Sequence, residues 1–105
     1  MSSIVGLVFC LEAELLILTQ NALMEALGEV GFSLNVLSQG YVKLRKNHPF
    51  AIDGRETDTW TFTFRLEREY LDEQVHNTLL ELSRDGVVYG YILERDVPAY
   101  VVVQN

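Results

Sequence analysis

The 105-residue chain has one cysteine and two prolines. A single cysteine excludes an intramolecular disulfide, so packing alone must hold the fold. Cys10 lies in the apolar run Ile4–Leu11, where a thiol behaves as a small hydrophobe. A reactive cysteine needs cationic, reachable surroundings, and its sequence neighbourhood offers none. Long hydrophobic runs are also missing. Glu12 and Glu14 interrupt Ile4–Leu18, which is too short to span a bilayer, so no membrane partner is expected. The first residues carry no Lys or Arg. No secretory leader is therefore expected, and the cytoplasm is the expected compartment. Cations are scarce: eight Lys and Arg against fifteen Asp and Glu, a formal charge of −7. A negative surface repels phosphate backbones, so nucleic acid is not expected as a partner, and the same charge keeps the chain soluble. There is no phosphate-binding loop, dinucleotide fingerprint, nucleophile elbow or zinc-ligand spacing, and no cofactor is expected.

What is present is a globular composition, 49% hydrophobic and 22% charged, in a length that suits one domain over 1–105. The stretch Thr57–Gly86 organises it. Trp60, Phe62, Phe64 and Leu66 alternate with Thr59, Thr61, Thr63 and Arg65. This is the pattern of a strand with one packed face and one face wet or partnered. The spacing then turns helical, with Leu71, Val75, Thr78, Leu79 and Leu82 on one stripe and a stop at Gly86. Upstream, Ile4–Cys10 reads as a central strand buried on both faces. Glu12–Val30 reads as a long helix with Leu15, Leu16, Leu23, Ala26, Leu27 and Val30 inward, two acids in its first turn and a stop at Gly31. In the alternative, Leu15–Leu18 is a strand and Thr19 caps a shorter helix. Ile17 and Met24 fall off the stripe, which calls for a second cover: a loop or another subunit.

Phe32–Lys46 reads as a strand with Phe32, Leu34, Val36, Val42 and Leu44 on one parity, and Gly40 invites a bulge. Asn47–Glu56 is a loop with a turn signal at Asp53-Gly54. Val87–Leu93 reads as a further strand, Glu94–Pro98 as a turn, and Ala99–Val103 as a short last strand. The expected fold is ferredoxin-like α+β: a βαββαβ antiparallel sheet with two helices on one face, plus a short C-terminal strand.

The basic loop is the most unusual chemistry. Residues 43–55 hold four of the eight cations (Lys43, Arg45, Lys46 and Arg55) and one anion, a net +3 that leaves −10 for the remainder. With His48, these residues are the candidate binding site for a protein partner or a small anionic ligand. The same contrast would let one subunit's arm dock on another's acidic helix, and a homo-oligomer is expected. Charge can also simply guard a sheet edge against aggregation. Glu69, Asp72 and His76 share a helix face with metal-like spacing, but acids at a helix start serve the dipole, so no metal is expected. Glu67, Glu73, Glu94 and Asp96 offer carboxylates without visible pairing. Tyr89, Tyr91 and Tyr100 are aromatic strand residues of the kind that pack or line interfaces.

Glu25-Ala-Leu-Gly-Glu-Val-Gly-Phe-Ser-Leu-Asn-Val-Leu-Ser-Gln-Gly40 resembles the helix-to-strand passage of PII-type signalling proteins, and Tyr70–Val75 and Ser83–Gly86 resemble that family's second helix and its end. The resemblance implies a trimeric, ligand-responsive scaffold whose hairpin loop touches a partner. The family binds ATP through a glycine- and lysine-bearing turn after that helix. Here Val87-Val-Tyr-Gly90 follows, without lysine, so the resemblance carries over no ATP site. Three readings follow. The first is a non-enzymatic binding or regulatory module. The second is a small enzyme of the dimeric α+β barrel kind, with a pocket using Tyr89, Tyr91, His48 or Glu67. The third is a structural subunit of a larger complex.

Overall fold

Eight consecutive residues of the first strand, β1 (Ser3–Cys10), are buried, as a continuous apolar run in mid-sheet requires. A computed structural model of the protein describes residues 3–68 and 71–97. β1 is followed by α1 (Ala13–Gly28), β2 (Asn35–Leu44), β3 (Thr57–Leu66), α2 (Asp72–Arg84) and β4 (Gly90–Val97). The strands form one antiparallel sheet in the order β2-β3-β1-β4, the ferredoxin-like arrangement. Residues 99–103, expected to form a last strand, lie outside the described residues.

Alternation along β1 and β3 divides the molecule into two layers. Ile4, Val8 and Cys10 face the helices with Phe62, Phe64 and Leu66, and meet Leu16, Leu23 and Leu27 of α1 and Val75 and Leu79 of α2. Gly6 leaves room on this face for the Phe64 ring, which lies where a Cβ would sit, at 2.3 Å. Leu7 and Phe9 point to the opposite face, with Leu44 buried beside them. The threonine face of β3 is not wet. Thr57, Thr59, Thr61 and Thr63 are buried, with Thr59 Oγ1 donating to the Val42 carbonyl at 2.8 Å.

Residues Leu15–Leu18 are helical. Thr19, no cap, is buried in mid-helix, where its hydroxyl donates to the Leu15 carbonyl at 2.8 Å and lies 3.8 Å from Cys10 Sγ. Both helices end in the same device. Gly31 and Gly86 take φ of +84° and +77°, which suit glycine because a side chain is strained there. The chain after each turns back to donate from Phe32 N to Leu27 O and from Val87 N to Leu82 O, satisfying carbonyls the helix leaves open. Val30, expected inward, falls in this turn and is exposed. Ile17 and Met24 stand off the buried stripe, 60% and 41% exposed.

Two strand readings are corrected. Val36 and Val42 share parity in the sequence, yet Val36 packs with the helix-side core and Val42 with the opposite cluster. A register shift between Val36 and Ser38 inserts Leu37 as an extra residue and reverses the faces, while Gly40 pairs regularly with Thr61. Glu94–Val97 is strand, not turn: Glu94 pairs with Val5 and Val97 with Ser3, because β1 continues to offer partners that far.

Candidate functional site

The β2 and β3 arms stay paired beyond Cys10–Trp60, the last pair that β1 makes with β3. Trp60 pairs with Tyr41 across the arm and remains 39% exposed, although the alternation of β3 placed it with the packed face. The rings meet edge to face at 5.4 Å, and Tyr41 Oη donates to Asp58 Oδ1 at 2.6 Å. That bond, made by the protonated phenol to a carboxylate, holds the Tyr41 pKa above its ordinary value.

Residues 45–56 connect the arms through three successive turns, closed by His48 N to Arg45 O, Ala51 N to His48 O and Arg55 N to Ile52 O, each at 2.9 Å. Asp53-Gly54 supplies the positive φ angles of the last, 50° and 68°. Thr57 Oγ1 clamps its exit by accepting from Ile52 N at 3.1 Å and donating to Arg55 O at 3.2 Å. The apex does not project freely. Phe50 folds back onto the sheet face away from the helices and meets the Phe9 ring edge-on at 5.5 Å; the Tyr89 hydroxyl donates to the Phe50 carbonyl. Gly90 makes the seat possible, since a Cβ there would lie 2.9 Å from the Phe50 ring. Burial of an aromatic ring supplies the gain that offsets ordering the loop.

Of the five residues singled out from sequence, His48 is used in this seat. Its Nδ1 accepts from Phe50 N at 3.1 Å, and its ring lies 6.0 Å from that of Phe9. The four cations stay exposed. Lys43 stands 3.9 Å from Glu56 and Arg55 3.9 Å from Asp53, loose pairs in open solvent that contribute little. Arg45 and Lys46 have no ion-pair partner among the described residues. Arg45, Lys46 and Arg55 line one open concavity of about 1000 Å³, and Lys43, Arg45 and His48 a neighbouring one of about 370 Å³.

The other candidates do not gather. Tyr91 Oη lies 3.1 Å from His76 Nδ1, and burial raises its pKa, with Arg84 opposing. Asp72 pairs with Arg95. Glu67 stands 3.8 Å from Arg65, and Tyr89 is committed to Phe50. Glu69, Tyr100 and the Asp96 side chain lie outside the described residues, and among those described no group of three or more His, Cys, Asp or Glu could hold a metal ion. Tyr91 packs against the helix-side core whereas Tyr89 and His48 lie with Phe9 on the opposite face, so these residues are not gathered into one pocket between sheet and helices.

The sequence raises an acidic helix as a counterpart to the basic arm without assigning its residues. On the helix side, α1 and α2 bound a groove of about 430 Å³ with four carboxylates, Glu25, Glu29, Glu81 and Asp85, around Ala22 and Ala26. The signal was available: in each helix the acids recur four residues apart and so share a face.

Fold and apex together define a small α+β domain of ferredoxin-like topology bearing a seated cationic hairpin. No family model matches the chain, and no curated protein matches it. No helix among the described residues is long and apolar enough to cross a membrane.

Proposed function

We propose that the chain is a non-enzymatic binding and regulatory module whose hairpin, residues 43–56, takes hold of a carboxylate- or phosphate-bearing partner. One observation carries this reading: Phe50, Tyr89 and Thr57 hold the apex in place while Arg45 and Lys46 stand exposed beside Arg55, without an ion-pair partner among the described residues. A loop ordered before it meets its partner loses less freedom on binding, so its cations are pre-organised for an anion. The resemblance to PII-type proteins supports the same role, that of a ligand-responsive oligomer contacting partners through its hairpin.

The test replaces Lys43, Arg45, Lys46 and Arg55 with Ala and measures binding of poly-glutamate and of inorganic pyrophosphate by calorimetry. Poly-glutamate stands for an acidic protein surface and pyrophosphate for a small anion. The variant is expected to keep its circular dichroism and to lose at least about tenfold in affinity, some 1.4 kcal/mol, for the probe that wild type binds. Undiminished binding, or wild-type protein that binds neither probe, overturns the reading.

A further inference from the structure

We propose that the groove between α1 and α2 receives the hairpin apex of a second copy of this chain, so that the protein associates with itself head to tail. The inference rests on the reading of the apex as an anion-binding element and names its partner. Its motive is a complementarity that a single chain leaves unused among the described residues. Glu25, Glu29, Glu81 and Asp85 have no ion-pair partner among the described residues, and neither do Arg45 and Lys46. Phe50 pins the apex to the Phe9 face of the sheet, whereas the groove lies on the helix face. Among the described residues no ion pair joins the two charged surfaces within one chain, so each is left open to a second copy.

The groove also suits long cationic side chains. Ala22, Ala26 and Leu82 line it together with the four carboxylates, which supplies apolar surface for the stem of an Arg or Lys and anions for its head group. Lys43 and Arg55 can exchange their loose 3.9 Å partners for these carboxylates, which sets four cations against four anions. A second copy brings both surfaces in equal number. Because apex and groove are different patches, the contact is heterologous, and repetition closes a ring or extends a filament.

Sedimentation velocity of the full chain tests this at about 50 mM and about 500 mM salt, since exposed pairs are screened over that range. Wild type is expected to sediment as an assembly at low salt and as a monomer at high salt. Two variants, R45A/K46A and E25Q/E81Q, are each expected to remain monomeric at low salt. Mixed together, they are expected to form a one-to-one pair and nothing larger, because only one intact apex and one intact groove meet. Monomeric wild type at low salt, salt-insensitive association or a mixture that stays monomeric overturns the proposal. Salt-insensitive association would point instead to the apolar side of α1 around Ile17 and Met24. Poly-glutamate and pyrophosphate binding by E25Q/E81Q separates the two readings. If a probe binds through the intact apex while wild type is monomeric, only self-docking fails; if neither probe binds, the apex reading fails first.

Discussion

Gly90 and Phe50 lie forty residues apart in the chain and in contact in the fold. A methyl group on Gly90 would lie 2.9 Å from the Phe50 ring, so Gly90→Ala must push the apex off its seat. We expect a loss of about 1–3 kcal/mol in urea unfolding, with faster amide exchange across residues 48–52. An unchanged exchange pattern would show that the apex is held elsewhere. Gly6→Ala, at 2.3 Å from the Phe64 ring in the main core, should cost more, because ring and strand are both enclosed. Cys10 is fully buried, and burial raises its thiol pKa against the weaker opposing effect of Thr19. The native thiol should therefore react with an aromatic disulfide reagent at least about a hundredfold more slowly than in urea. Equal rates would mean that β1 opens readily.

At the scale of the element, the two helix ends make the same demand. Gly31→Ala and Gly86→Ala place a side chain at positive φ, and each is expected to lower stability by about 1 kcal/mol, read from the urea midpoint. The glycine stops of the helices, the inward stripe of α2 and the alternation of β3 from Phe62 to Leu66 were legible because they depend on residues within a few positions of one another; Val30 and Trp60 were not. β2 was not. Phe32, Leu34, Val36, Val42 and Leu44 share parity, and only the extra residue Leu37 sends the last two to the other side of the sheet. Deleting Leu37 should drive Val42 and Leu44 toward the helix side and leave Phe9 uncovered. A loss of more than about 2 kcal/mol is expected, and a neutral deletion would refute the role of the bulge. The end of β4 was misread for a related reason: Glu94-Arg95-Asp96 looks like a turn by composition, but a paired neighbour strand overrides local preference.

For the whole molecule, pH and salt act on different parts. Cys10, Tyr41 and Tyr91 all hold their protons more tightly folded than their ordinary values imply. The folded state thus binds more protons than the unfolded state once pH passes the ordinary thiol value of about 8.5, and stability should fall as pH rises from there through the tyrosine range. Thermal melts from pH 7 to 11 check this, and a rising melting temperature would contradict it. Salt acts on the surface instead. Screening should weaken apex contacts while leaving the buried core unmoved, so monomer stability and association are expected to separate in one salt titration.

Local order in this chain was written in its one-dimensional pattern. The acidic balance, the strand-and-helix succession, the glycine stops and the cluster of cations between residues 43 and 55 all follow from neighbours in sequence, because backbone periodicity and formal charge are local properties. The seat of the hairpin, the reversal of faces in β2 and the gathering of four carboxylates from two helices around one groove were decided by tertiary packing. Each depends on residues tens of positions apart, brought together by the burial of rings such as Phe9, Phe50 and Phe64.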